Sequence, residues 1–279
     1  MFSNLHTHTN FSDGSSPPDD YIKEALRQGF RSLGFSDHSP LPFDNTFALR
    51  EEKTQEYCDT IIRLKNKYKG KLDILLGMEV DFIPGVSHPP SWFRRQFPLD
   101  FIIGSVHLVK DPEEEELWFI DGPHAETYDN GLSKVFGGDI RKAVTVYYRQ
   151  LQELIAVYKP DVVGHLDKIK MHNKGRYFDE NEPWYRKLVD ETLGVMLDAG
   201  CLMEVNTRGI YKKRSETLFP GSEVLRKAHS LGIRVTITSD AHKPHELSLH
   251  MKETAAILKQ AGYRTQIIFT ASGVEEVLL

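Results

Sequence analysis

Short apolar runs alternate along the chain with helix-length amphipathic stretches, the pattern of repeated β-α units. Strands are predicted at 3–8, 31–37, 72–81, 99–107, 161–165, 201–207, 233–240 and 265–270. Helices are predicted at 18–28, 51–68, 140–158, 184–199, 222–231 and 245–260. In the first helix Asp19 and Asp20 occupy the opening turn, Ile22, Ala25 and Leu26 share a face, and Gly29 ends it. In the second, Tyr57, Ile61, Leu64 and Tyr68 recur at helical spacing with Glu and Lys opposite, as on a surface helix that packs one face on a core. The last four helices stop at Lys159-Pro160, Gly200, Gly232 and Gly262, where proline geometry or glycine's tolerance of positive φ ends them. Segments 109–138 and 167–183 break the rhythm and are expected to be long loops; each follows a strand that ends in histidine. No composition shift divides the chain, so residues 1–279 are read as one domain, within the range of (β/α) barrels.

Composition narrows the function classes. A 40% hydrophobic content without low-complexity tracts describes a globular chain with a sizeable core. A formal charge of -5, from 40 acidic and 35 basic residues, gives no basic footprint for long nucleic acids. No apolar run is long enough for a membrane span, and the N-terminal residues do not resemble a signal peptide. Cys58 and Cys201 lack the spacing of a disulfide framework or thiolate zinc site, so a reducing, cytoplasmic setting is expected.

Metal-type side chains sit at the ends of most predicted strands. His6 and His8 end the first, Asp37 and His38 the second, Glu79 and Asp81 the third, His107 the fourth, His165 the fifth, and Asp240 with His242 the seventh. The C-terminal ends of parallel barrel strands converge on one face, so these residues are expected to meet in one pocket. His6 and His8, two apart on a strand, point the same way and can share an ion. Imidazole and carboxylate without thiolate suit Zn, Mn or Fe at an open hydrolytic site.

The segments HTHTNFSDG (6–14), SDH (36–38), GMEVD (77–81), GSVH (104–107), GHLD (164–167) and TSDAH (238–242) together resemble the polymerase and histidinol phosphatase family, PHP. The order and span of the motifs match over nearly the whole chain. The run from GSVH to WFID (104–121) resembles the stand-alone histidinol-phosphate phosphatases. The resemblance implies a distorted (β/α)7 barrel with up to three divalent metal ions at the C-terminal strand ends. Carried over by position, His6, His8, Glu79 and Asp240 would hold one metal. Glu79 would bridge to a second held by His107 and His165, and Asp13, His38 and His242 would hold the third. The eighth predicted strand, 265–270, exceeds a count of seven and is expected outside the barrel.

Phosphomonoester hydrolysis needs charge neutralisation and a nucleophile, and we expect a metal-bound hydroxide near Glu79 to attack phosphorus in line. Proton donation to the leaving alcohol would fall to Asp167 or His245. Asp167, like Asp37, has the alternative role of orienting a ligand imidazole. Arg208, after the sixth strand, is the first candidate for gripping phosphate; Arg149 is the second, with a solvated helix surface as its alternative. Lys212, Lys213 and Arg214 are a steering patch or a solvated face. Trp118, Phe119 and Asp121 would contact the imidazole and ammonium groups of histidinol, or Trp118 and Phe119 would simply anchor their loop. The remaining histidines, His88, His124, His172, His229 and His250, read as surface or loop residues, and Glu113 to Glu116 as solvated. The expected reaction is hydrolysis of L-histidinol phosphate in histidine biosynthesis, with a small phosphomonoester as substrate and neither membrane nor long nucleic acid as partner; the number of chains that assemble is left open. A PHP-type nucleotide phosphatase or nuclease is the alternative, followed by a phosphotyrosine phosphatase or a non-catalytic metal-binding module.

Overall fold

A computed structural model describes residues 2–279. Its strands are β1 (Phe2–Asn4), β2 (Phe30–Phe35), β3 (Asp73–Asp81), β4 (Phe101–Ser105), β5 (Leu108–Lys110), β6 (Leu117–Phe119), β7 (Val162–Val163), β8 (Leu202–Asn206), β9 (Val235–Thr238), β10 (Thr265–Thr270) and β11 (Gly273–Leu278). Seven of these form one parallel sheet in the order β1-β2-β3-β4-β7-β8-β9, which curls into a nearly closed, distorted barrel. Beyond the ends of β1 and β9 the seam is closed by backbone bonds, His8 N to Ala241 O (2.8 Å) and Ala241 N to His6 O (3.0 Å). Lower down, the Asn4 side chain bridges it, donating to Ser239 Oγ (2.8 Å) and accepting from Ser239 N (3.2 Å). β3 is buried along nearly its whole length, as a strand covered on both faces must be.

The helices α1 (Pro18–Gln28), α2 (Thr54–Lys67), α3 (Pro90–Gln96), α4 (Ala125–Phe136), α5 (Ile140–Glu153), α6 (Pro183–Ala199), α7 (Arg208–Tyr211), α8 (Ser222–Ser230) and α9 (Met251–Ala261) connect the strands. α1 has the predicted bounds: Pro18 begins it and Gly29, at φ 73°, caps it. The last predicted helix starts six residues late. Pro244–Glu246 form a separate 3-10 turn, and His250 adopts a left-handed φ of 61° just ahead of Met251. Glu246 causes the break, because its carboxylate reaches back to accept from the backbone N–H groups of His242 (2.9 Å) and Lys243 (3.1 Å).

The segment expected as a loop at 109–138 is ordered. It contains the antiparallel hairpin β5-β6 and then α4. Trp118 explains this order: the indole is fully buried, packs on Tyr128 and Phe136, and donates Nε1–H to Tyr128 O at 2.8 Å. The tip, Glu113 to Glu116, is exposed as expected. Segment 167–183 is mostly irregular, with one 3-10 turn at Lys168–Lys170.

β10 lies outside the barrel sheet, paired antiparallel with β11. The hairpin seals the barrel's lower interior, where Ile267 and Phe269 pack with Leu5, Leu75, Phe101, Ile103, Val162 and Leu202. Two glycines make room there for the Phe101 ring: a Cβ on Gly77 would stand 2.2 Å from its Cζ, and one on Gly34 2.7 Å. With the lower interior filled, the opposite end of the strands is left for chemistry.

Candidate metal centre

Glu79, on β3, is the hub of that end. Its Oε2 lies 3.1 Å from His6 Nε2, 3.5 Å from His8 Nε2 and 3.0 Å from His38 Nδ1. Its Oε1 accepts from Ser105 Oγ (2.6 Å) and lies 3.0 Å from His165 Nε2 and 3.7 Å from His107 Nε2. Asp240 Oδ1 is 3.4 Å from His8 Nε2 and from His242 Nδ1. Asp13 Oδ2 is 3.1 Å from His242 Nε2, and its Oδ1 is 3.9 Å from both His8 Nδ1 and His38 Nε2. The nine residues anticipated as metal ligands are thus brought together. All but Asp13 and His242 are buried.

Among the described residues, three groups have donor atoms within 4.8 Å of one another: His8, Asp13, His38 and His242; His6, His8 and Asp240; and His38, Glu79 and His107. His8 and His38 each belong to two of them, so the clusters share walls.

The donor set fits divalent cations. His6 Nε2, both nitrogens of His8, His38 Nδ1 and Glu79 Oε2 are buried without a hydrogen bond, although they face one another at ligand-like spacing. Buried polar atoms left in this way are costly unless something else satisfies them. Electrostatics point the same way. Burial disfavours charge on His6 and His107, yet nearby carboxylates overcome it. Glu79, Glu204 and Asp240 raise His6, while Asp81 and Glu79 raise His107 to about 9. The cluster therefore draws positive charge. Burial takes His38 down to about 4, which keeps its ring in the neutral form that can ligate.

Two carboxylates outside the nine anticipated ligands orient the rings. Glu204, on β8, accepts from His6 Nδ1 at 2.5 Å, from His165 N at 2.6 Å and from Thr238 Oγ1 at 2.6 Å. Asp81 accepts from His107 Nδ1 (3.0 Å) and N (2.9 Å). Each fixes a tautomer that turns the Nε2 lone pair towards Glu79. The signal for Glu204 was available: a carboxylate within the apolar strand Leu202–Asn206. The backbone is strained where ligands leave the sheet, with φ of 21° at His165 and 50° at Asp240.

Beside the cluster lies a cavity of about 260 Å³, lined by Asp13, His38, Glu79, His107, Asp240 and His242 together with Thr46, Phe47, Phe119, Asp121, Gly122, Pro123, Arg208 and Arg214. Arg208 reaches it as expected, held by a bond from Nη1 to Asp240 O at 2.7 Å. Arg214 lines it too, 3.8 Å from Asp121 Oδ1, whereas Lys212 is tied to Glu246 at 2.5 Å. Asp121 is anchored by the buried Lys168, Nζ to Oδ2 3.0 Å, and lies 3.9 Å from His107 Nε2. Burial opposes its ionisation, but Lys168, His107 and Arg214 hold its pKa well below the usual carboxylate range.

Several expected residues are elsewhere. Trp118 is core, one residue away from Phe119, because alternate side chains of β6 face opposite sides. Arg149 is on the exposed face of α5, whose other face buries Tyr147, Tyr148 and Leu151. His245 is exposed on the 3-10 turn and does not line the cavity. Asp167 is buried away from the imidazoles, accepting from Lys170 Nζ (2.6 Å) and Gly221 N (3.1 Å). Asp37 orients no imidazole either; it gathers the backbone and side-chain donors of Thr9 and Ser12, shaping the loop that carries Asp13. His172 is buried rather than superficial and donates from Nε2 to Gly122 O (3.1 Å), supporting the cavity wall. His250 precedes α9 instead of lying inside it.

Comparison with known proteins agrees with this geometry. The chain is 30% identical over 265 residues to a protein of Deinococcus radiodurans named "Probable histidinol-phosphatase", covering 93% of this chain and 94% of the relative. It is 29% identical over 253 residues to the histidinol-phosphatase of Bacillus subtilis, covering 85% and 92%. Among solved structures, the fold is similar to histidinol phosphate phosphatase from Lactococcus lactis in complex with zinc, L-histidinol and phosphate. That match has a TM-score of 0.68 at 21% identity and covers 98% of each chain. The PHP domain profile matches residues 4–208. By profile, sequence and fold, the chain belongs to the PHP domain family.

Proposed function

We propose that the chain is a metal-dependent phosphomonoesterase that hydrolyses L-histidinol phosphate to L-histidinol and phosphate, as a step of histidine biosynthesis in the reducing cytoplasm. The observation that carries this reading is the cavity in which six of the nine ligand-type residues adjoin two arginines. Near full-length similarity to proteins named histidinol-phosphatase supports the substrate, and the free, buried Cys58 and Cys201 suit a reducing compartment. No helix among the described residues is long and apolar enough to cross a membrane.

In this reading His6, His8, Glu79 and Asp240 hold one divalent ion, Glu79, His107 and His165 a second, and Asp13, His38 and His242 a third, with zinc, manganese or iron all compatible with the donors. When bound, such ions lower the pKa of water towards about 7 and neutralise phosphoryl oxygens. The chain's own residues do the rest. Arg208 and Arg214 bind the phosphoryl oxygens, the first as a fixed fork and the second as a more open arm. Glu204 and Asp81 hold the protons on His6 Nδ1 and His107 Nδ1. Asp121, kept anionic by Lys168, faces the cationic nitrogen of the alcohol. Asp167 and His245 both lie outside the cavity lining and are set aside as proton donors to the leaving oxygen.

Residues 1–279 act as one domain in this account. The profile match ends at 208, yet β9, Asp240 and His242 lie beyond it and complete the site. The test is metal analysis of the purified protein followed by phosphate-release kinetics on L-histidinol phosphate, phosphotyrosine and nucleoside monophosphates in parallel. Highest kcat/KM on histidinol phosphate is expected. A clear preference for another ester would overturn the substrate and leave the phosphatase reading standing.

A further inference from the structure

Arg234 stands one residue ahead of β9, and Arg264 one residue ahead of β10. Asp240 follows the other end of β9, so Arg234 is at the end of the barrel away from the metal cluster. Both arginine side chains are exposed, and both line a cavity of about 490 Å³ formed where the turns after α8 and α9 meet the β10-β11 hairpin. The nearby carboxylates are engaged elsewhere: Glu275 pairs with Arg31 at 2.5 Å, and Glu276, which also lines the cavity, accepts from Thr265 Oγ1 at 2.5 Å. Among the described residues no carboxylate pairs with Arg234 or Arg264. Two unpaired guanidiniums in one hollow, on a chain of formal charge -5, make a local field opposite in sign to the whole.

The walls of this cavity are held in place. Tyr263 donates its hydroxyl to Ile233 O at 3.0 Å, and Ile237 N donates to Gln266 Oε1 at 3.1 Å, which ties the arginine-bearing ends of the two strands together. His229 packs edge-on against Tyr263, 4.9 Å between centroids, and fits there because Gly262 lacks a side chain: a Cβ on Gly262 would stand 2.5 Å from His229 Nδ1. Ile233 and Ile267 supply an apolar floor.

We propose that this basal cavity is a second binding site, separate from the metal centre, for a small organic anion. The carboxylate or phosphoryl group of the ligand lies between the guanidiniums of Arg234 and Arg264, whose planar forks match its oxygens, and its apolar part rests against Ile233 and Ile267. Bridging the starts of β9 and β10, the ligand clamps the sealing hairpin to the barrel and stabilises the folded chain. The site does not depend on the hydrolytic reading. The competing account is that both arginines are only solvated.

The test is calorimetric titration of the metal-loaded protein with benzoate and, separately, with phenylphosphonate, which distinguish a carboxylate from a phosphoryl ligand. Wild type is compared with Arg234→Gln/Arg264→Gln, with Arg264→Glu and with Arg214→Gln. Phenylphosphonate can also meet the metal centre, so the event scored is the one that persists in Arg214→Gln. For at least one probe, that event should weaken about tenfold or more in the double variant and vanish in Arg264→Glu. Phosphate release by the double variant should match wild type, because neither arginine touches the metal-side cavity. No binding of either probe overturns the proposal. Binding that survives in the double variant and disappears in Arg214→Gln overturns it too, since the anion then sits beside the metals.

Discussion

Glu204 accepts from His6 Nδ1 and His165 N while touching no cavity surface, and its contribution is to aim a ligand. Replacing it with Gln keeps the shape but removes the charge that fixes the imidazole. Zinc affinity at the His6 centre should then fall roughly 10- to 100-fold, measured by competition with a chelator of known affinity. An unchanged affinity would show that His6 needs no orienting carboxylate. Glu79 is different in kind, since both its oxygens face ligand nitrogens. Glu79→Ala should abolish turnover with the fold intact by circular dichroism. Ligand residues were legible in the sequence because histidine and carboxylate at strand ends are chemically distinctive. Glu204 was not assigned a role, because a carboxylate inside an apolar strand signals a buried partner without naming it, and that partner, His6, lies more than a hundred residues away.

Among the elements, the insertion after β4 carries the most information about how sequence misleads. Its polar tip, PEEEE at 112–116, makes 109–138 read as a loop, yet Trp118 and α4 give it a core of its own. Trp118→Ala should cost about 3–5 kcal/mol of stability, read from urea denaturation. Changing Glu113 to Glu116 to serines should leave stability within about 0.5 kcal/mol, because these side chains are exposed. A large loss from the tip, or none from Trp118, would contradict the packing described here. The βα units were predicted well wherever proline and glycine punctuate them. The start of α9 was missed because Glu246 folds back on its own turn, a local hydrogen-bonding choice that apolar periodicity does not encode.

For the whole molecule, metal binding, protonation and stability are linked. In the metal-free protein His6 and His107 have raised pKa values, the latter about 9, against an unperturbed 6.5. Protonation of these rings therefore stabilises the metal-free fold fully below about pH 6.5, and that contribution is lost as pH rises towards 9. The melting temperature of metal-free protein should fall across this window while that of loaded protein changes less. Rebinding metal near pH 7 should also release protons, seen as a buffer-dependent calorimetric heat. A metal-free protein equally stable at both ends of the window would contradict the electrostatics of the site. The barrel and its ligand face were legible from the sequence at this scale. The sealing of the lower interior by β10-β11 was not, since it depends on Phe101 filling space left by Gly34 and Gly77.

The most direct measurement is phosphate release from L-histidinol phosphate by protein stripped of metal and then titrated with zinc. The account predicts no turnover in the stripped protein and recovery that saturates at a small whole number of zinc ions per chain, with no recovery in Glu79→Ala. Full turnover by verified metal-free protein, or zinc saturation without turnover of any phosphomonoester, would contradict it.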